Sequence, residues 1–339
     1  MIKMTYKRID AEVQRAERIL LLTDERIDGD TVGATLGMYH VLKSMGKEVV
    51  VYSPREIPAT FSFMPGLEQI QYCDTVFDDD SIDLVMIFDC ADGEYIKELI
   101  PRLPKRSPLI VVDHHVTNPR YGTINLVEDD SASASGVVWR FVKTMNYPMS
   151  KSAAQCILTG ICTDTNVFST TNTNAACLDA AHELAQYGAR LQEIVRETMM
   201  NKSVPALRLW GLAFERLHHN DEFDAIATAI TRKDMKEIGA RPEDLQGLIN
   251  FLNAMVDGAD TALVYYERDD GSVKGSLRSH TVDVAKLAGK YGGGGHIRAS
   301  GFQIQDSILE EKDGQWFAVA KRRSAEASAK EDASKIENI

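Results

Sequence analysis

Apolar runs recur in the first half of the chain, and several of them run straight into an acid. Residues 18–23, almost wholly Ile and Leu, lead into Asp24. Residues 81–88 lead into Asp89, and residues 108–112 into Asp113, His114 and His115. Residues 47–53 form another such run, without the acid. Short uninterrupted apolar runs read as strands buried on both faces, the pattern of a parallel sheet. An unpaired charge inside such a strand is very costly, so the acids belong at the carboxyl ends, in the crevice where open α/β sheets place their chemistry. Helical periodicity fills the gaps at 5–17, 31–45, 131–145, 151–163, 174–187 and 191–200. The fold class is therefore α/β, with a mostly parallel sheet in the N-terminal half.

Beyond residue 200 the pattern changes. An amphipathic helix is predicted at 204–219, then a strand at 225–230 and helices at 232–238 and 244–256. Strands at 259–268 and 272–278 and a helix at 283–291 follow. Four glycines, 292–295, precede His296. On this reading they exclude regular structure and leave backbone N–H groups to cradle an anion, with Arg298 close by. The expected organisation is a first domain over 1–200, a helical linker over 201–222 and a smaller α/β domain over 223–308. A charged tail, helical or unstructured, occupies 309–339. At 339 residues two domains are the natural expectation.

Composition narrows the function classes. Hydrophobic content of 44% and charged content of 26% are those of an ordinary globular protein. There is no run of about 18 apolar residues and no apolar signal core near the N-terminus, so a cytoplasmic protein without a membrane partner is expected. The five cysteines form no CxxC pair, which fits reduced thiols packed as small hydrophobes. A net charge of −12 argues against binding long duplex nucleic acid, which calls for a basic stripe. It leaves room for a short anionic substrate, because carboxylates that hold divalent cations become locally neutral or positive.

The chemistry lies in the acids. Asp24, Asp28 and Asp30 fall within seven residues at a strand-to-helix turn, where Gly29 lets both neighbouring carboxylates face one point. An N-cap explains one acid there, not three. Asp164 closes an apolar helix, where a carboxylate opposes the helix dipole unless a cation sits beside it. A set of Asp24, Asp28, Asp30, Asp89, Asp113, His114, His115 and Asp164 suits Mn²⁺ or Mg²⁺ better than thiolate-seeking metals. Two cations sharing an Asp would use so many oxygens well, and such pairs serve phosphoryl displacement. His40, His182, His218 and His219 lie in predicted helices away from the acids and are read as structural.

In this order, Asp28-x-Asp30, Asp89, Asp113-His114-His115, Asp164 and the glycine run ending at His296 resemble the DHH phosphoesterase superfamily. The likeness spans residues 15 to about 306 and is nearest to the oligoribonuclease branch that also acts on 3′-phosphoadenosine 5′-phosphate. It implies an active site in the cleft between two domains. It makes Asp89 the bridging ligand, shared by a first metal with Asp28 and a second with Asp30, His114 and Asp164. It also implies that His115 faces the scissile phosphate and that Asp113 orients the imidazoles. Arg278, Ser279, Gly293, Gly294, Gly295 and His296 would grip substrate. The sequence departs from the family at Asp24, which stands where a histidine is usual. An all-oxygen first site would accept Mg²⁺ as well as Mn²⁺, while His114 favours Mn²⁺ at the second.

The expectation is thus a phosphodiesterase with two divalent metal ions that cleaves short RNA to mononucleotides or acts on a small nucleotide, and a homodimer is compatible with it. Two rivals remain open: a cyclic or linear dinucleotide phosphodiesterase, and a nucleotide-binding regulator whose metal site has decayed.

Overall fold

The computed structural model describes residues 2–91, 93–103, 107–170, 172–255 and 260–321. By its contacts the chain divides between Asn201 and Lys202 into two compact units. No helix among the described residues is long and apolar enough to cross a membrane.

The first unit runs α1 (Ile2–Arg15), β1 (Arg18–Leu22), α2 (Gly29–Ser44), β2 (Glu48–Tyr52), β3 (Ile70–Gln71), β4 (Leu84–Phe88), α3 (Gly93–Leu99), β5 (Leu109–Asp113) and β6 (Ile124–Val127). The helices α4 (Ala134–Thr144), α5 (Lys151–Asp164), α6 (Ala175–Gln186) and α7 (Leu191–Val195) complete it. Its sheet is wholly parallel, in the order β3-β2-β1-β4-β5-β6. The chain winds outward one way from β1 and the other way from β4, so the order reverses between these two strands. At such a switch point the loops leaving the strands part and open a crevice. The ends of β1, β4 and β5 and the segments that follow them carry the acids singled out above, except Asp164, which closes α5. The strands earn their central place by composition, since every residue of β4 and β5 is buried.

Helix α2 is buried almost all round, because α5 packs against it through a glycine seam. A Cβ on Gly33 would come within 2.7 Å of the Cys156 carbonyl and 2.8 Å of the Gly160 Cα. That approach lets the start of α2, with Asp28 and Asp30, lie beside the end of α5, with Asp164.

The second unit runs α8 (Val204–Glu215), β7 (His218–Asn220), β8 (Ala225–Ile230), α9 (Arg232–Ile238), α10 (Leu248–Met255), β9 (Thr261–Glu267), β10 (Val273–Ser279), α11 (Val284–Gly289), β11 (Gly294–His296), β12 (Ala299–Ile304), β13 (Ser307–Lys312) and β14 (Gln315–Ala320). Its main sheet is mixed, in the order β11-β12-β10-β9-β8-β7, and β13 and β14 pair separately. It is the smaller α/β domain expected.

Several expectations are corrected here. The helix predicted at 204–219 stops at Glu215, and His218 and His219 lie on a strand. Leu209 and Ala213 of this helix are buried with Ile230, Leu252 and Val264 in a core of the second unit. The helix predicted at 244–256 starts only at Leu248, after Gly247 takes a left-handed φ of 90°. His219 does have acids beside it, with ring nitrogens 3.0 Å from Asp221 and 3.1 Å from Asp224. The tail is not unstructured from 309 on, because residues through Ala320 form a hairpin. Its turn, Asp313 (φ 53°) and Gly314 (φ 80°), has the two left-handed residues a tight hairpin needs. The part of the predicted tail beyond residue 321 lies outside the described residues.

The glycine run is likewise more regular than expected, since Gly294 to His296 pair with β12 as an antiparallel strand. A side chain at Gly293 or Gly295 would forbid this, although one at Gly294 would meet open space. A Cβ on Gly295, whose φ is 141°, would meet the Ala299 carbonyl at 2.7 Å, and one on Gly293 would meet the Phe302 Cα at 2.7 Å.

Candidate metal centre

The loops at the switch point bring most of the predicted ligands together. Ligand atoms of Asp89, Asp113, His114 and His115 lie within 4.8 Å of one another, as do those of Asp30, His114 and Asp164. His114 belongs to both groups. Its Nε2 stands 3.5 Å from Asp164, 3.6 Å from Asp89 and 4.0 Å from Asp30.

Asp89 sits where β4 ends and takes a left-handed φ of 56°, a strained conformation for a residue with a Cβ. The chain holds it there through Asp89 N–H donating to the Val112 carbonyl at 2.9 Å. The Thr31 hydroxyl donates to Asp89 Oδ2 at 2.7 Å, whereas the buried Oδ1 has no hydrogen-bond partner. Asp30 accepts the N–H groups of Ala134 and Ser135, at 2.6 and 2.9 Å, and so also caps the start of α4. Asp28 caps α2, accepting from Asp30 N–H and Thr31 N–H. Asp113, fully buried, accepts three bonds at Oδ1: from the N–H groups of His114 and His115, and from the His115 ring at 2.8 Å. The His114 ring donates its Nδ1–H to the Ser131 carbonyl at 3.3 Å, which leaves Nε2 as the lone-pair side toward the acids.

Asp24 is placed differently. Its Oδ1 accepts Glu25 N–H at 2.5 Å, its Oδ2 lies 3.7 Å from the Arg26 guanidinium, and it belongs to neither ligand group. Asp28 also lies outside the two groups, although its charge reaches Asp30, Asp89 and Asp164.

The electrostatics are those of a site short of positive charge. Burial, then the charges of Asp30 and Asp28, pushes the Asp89 carboxyl well above its ordinary value. Burial and the same two neighbours do likewise to Asp164, and burial raises Asp30 although His114 opposes it. Asp113 goes the other way. Burial would raise it, but the bonds from His115 and Asn118 outweigh that and hold it below the carboxylate range. The same Asp113 bond raises the His115 imidazole. An orphaned buried oxygen, three crowded acids and an imidazole lone pair fit a divalent cation of the oxygen-seeking kind.

In the second unit, Arg278 is the last residue but one of β10, with its Nε–H on Asn250 Oδ1 and an Nη1–H on the Leu277 carbonyl, both at 3.0 Å. No carboxylate among the described residues pairs with it. Ser279 Oγ accepts the N–H groups of Thr281 and Val282 and so shapes the turn after β10. The Gly293 N–H is taken by the Ala288 carbonyl at 3.0 Å, so it does not stand ready for an anion. Gly294 and Gly295 lie in β11, as does the His296 backbone, while the His296 side chain lies outside the described part. Arg298 donates to the Val282 carbonyl.

The DHH family N-terminal domain matches residues 18–161, and the DHHA1 domain matches residues 224–322. The chain belongs to the DHH family. A relative, the bifunctional oligoribonuclease and PAP phosphatase NrnA of Thermus thermophilus, is 30% identical over 309 residues, 90% of each chain. The protein of the same name from Bacillus subtilis is 26% identical over 85% of this chain and 90% of its own. An exopolyphosphatase-related protein from Bacteroides fragilis has a similar crystal structure, with a TM-score of 0.82 and 25% identity. That match covers 89% of this chain and 91% of the other.

Two residues that matter to the site escaped the sequence reading. Thr31 fixes Asp89, and Asn118 donates to Asp113 Oδ2 at 2.5 Å. Asn118 is announced in the sequence only by an Asn-Pro pair, which reads as a turn former.

Proposed function

We propose that this DHH-family protein is a cytoplasmic phosphodiesterase that releases mononucleotides from short oligoribonucleotides and removes the 3′-phosphate of 3′-phosphoadenosine 5′-phosphate. The observation that carries the reading is the crowd of buried carboxylates around His114, with Asp89 Oδ1 left without a hydrogen bond. The substrate class follows the Thermus thermophilus and Bacillus subtilis relatives, whose names combine the two activities.

Asp89 would be shared by two divalent cations, Mn²⁺ by preference. Asp30, His114 and Asp164 would complete one ligand set, and Asp28 and Asp24, which stand outside the two groups of converging atoms, would turn to serve the other, where Mg²⁺ would be accepted. When bound, the cations neutralise phosphate oxygens and lower the pKa of the attacking water. The chain's residues supply the rest. Asp113 fixes His115 through Nδ1–H, so the ring acts through Nε2, as a proton donor to an oxygen of the scissile phosphate. The His115 ring is suited to this because its bond to Asp113 favours the protonated form. Arg278, whose guanidinium is partly desolvated and pairs with no carboxylate among the described residues, is suited to take a phosphate in a forked contact.

The test is hydrolysis by protein loaded with Mn²⁺, followed by chromatography. The substrates are RNAs of two to about ten nucleotides, 3′-phosphoadenosine 5′-phosphate and cyclic di-AMP. The reading expects mononucleotides from the shortest RNAs and AMP from the bisphosphate. Hydrolysis of cyclic di-AMP alone would favour a dinucleotide phosphodiesterase, and no hydrolysis at all would favour a regulator.

A further inference from the structure

Asn118 joins two parts of the site through its side chain. It lies in the loop after the two histidines and is 7% exposed. Its Oδ1 accepts Arg120 N–H at 2.7 Å, which decides which end of the amide carries the hydrogens. Its Nδ2 then has two acceptors, the Cys90 carbonyl at 2.9 Å and Asp113 Oδ2 at 2.5 Å. Cys90 directly follows Asp89, whose left-handed backbone makes the turn at the end of β4. The Tyr121 hydroxyl braces the same carbonyl at 3.1 Å. Asp113, on β5, holds the His115 ring through its other oxygen.

One amide therefore ties the strained turn that aims Asp89 to the carboxylate that aims His115. With Asn118 removed, Asp113 Oδ2 would lose this donor, the carboxylate could rotate about χ2, and the bond from the His115 ring to Oδ1 would loosen. Rotation would carry the His115 ring with it, while the backbone of β5 stayed paired with β4 and β6. We propose that Asn118 is a positioning residue that holds the Asp113–His115 pair and the Asp89 turn in one register for phosphodiester hydrolysis. The inference rests on the hydrolytic reading above.

Two measurements test it on Asn118→Ala and Asn118→Leu. The Leu variant keeps the branched shape of Asn118 but has no group that can donate to Asp113, so it serves if the cavity left by the Ala variant prevents folding. The first measurement is kinetic: kcat should fall about 10- to 100-fold, the usual loss when a group supporting a metal-site ligand is removed. KM should stay within about twofold, with bound Mn²⁺ per chain unchanged. The second is the NMR spectrum of protein labelled with ¹⁵N in histidine, recorded without metal and assigned with His115→Asn. Wild type should show a protected His115 Nδ1–H proton, and both variants should lose it to exchange with water. The proposal is overturned if the variants keep kcat and the protected proton, or if kcat falls only in step with lost metal or unfolding. Absence of the protected proton in wild type would also overturn it. Should wild type hydrolyse none of the substrates, the hydrolytic reading fails, and the proton signal still shows whether Asn118 orients His115.

Discussion

Two buried aspartates, one in each unit, show what separates an acid that holds a fold from one that waits for a ligand. Asp234, at the start of α9, receives both Nη groups of Arg216, at 2.6 and 2.9 Å. It also takes the N–H and hydroxyl of Thr231. The Arg216 guanidinium, in turn, lies 4.5 Å from the centre of the Trp316 ring. Burial would raise the Asp234 carboxyl, but Arg216 and Thr231 outweigh it and hold it low. Asp89 is as well buried, yet it faces other carboxylates, has one oxygen without a hydrogen bond and is pushed upward. Burial is common to both. The supply of positive charge is not, and only the second arrangement calls for a cation from outside.

Substitutions that remove the charge should therefore act in opposite ways at the two places. The largest effect is expected at the metal centre. Asp89→Asn keeps the shape, and Asn tolerates the left-handed backbone, but kcat/KM should fall on the order of a thousandfold or more. The same variant, stripped of metal by chelation, should melt no lower than wild type, because one of the crowded acids is gone. A clear drop in melting temperature would place Asp89 with Asp234 as a structural acid.

At the other place the effect falls on stability. Asp234→Ala leaves Arg216 without its partner, a loss of about 3 kcal/mol, measured by denaturant unfolding of the second unit's transition. The sign of its pH dependence is fixed by the direction of the shift. A carboxyl lower in the folded than in the unfolded chain contributes stability above the unfolded value of about 3.9, and that contribution fades as pH falls through the folded value. The gap between wild type and Asp234→Ala should accordingly be full at neutral pH and narrow below about pH 4. A gap that does not change with pH would show that packing, not charge, is what Asp234 provides.

The smallest effect is expected at Asp24, whose carboxylate is engaged by its own loop. Asp24→His should keep activity within about tenfold and move the preference from Mg²⁺ toward Mn²⁺, as an imidazole does. Equal activity with both ions in wild type and variant would remove Asp24 from the ligand set.

Much of this arrangement is written in the local sequence. Strands β1, β4 and β5 are legible because each is an apolar run, and their closing acids are legible because charge cannot continue into a buried strand. Asp164 stands out for a similar local reason, an acid at the wrong end of a helix. What the sequence conceals depends on partners distant along the chain. Asn118 looks like any turn residue until folding brings the Cys90 carbonyl beside it, 28 residues away. Thr31 looks like one more residue of a helix start until β4 delivers Asp89, 58 residues on. The strand at Gly294 to His296 is hidden because glycine carries no β signal, although close approach to β12 is what demands glycine at position 295. The hairpin near the end, in a segment that reads as a charged tail, is a different case. Asp313-Gly314 between two runs of strand residues is its signature, masked by the charges of the surrounding tail.

The central claim is that the acids around His114 are assembled for divalent cations. Crystals soaked in Mn²⁺ and measured at the manganese absorption edge test it most directly. The account predicts two anomalous peaks that share Asp89, one of them also in contact with Asp30, His114 and Asp164. No peak among these residues at saturating Mn²⁺, or peaks that Asp89 does not touch, would contradict it.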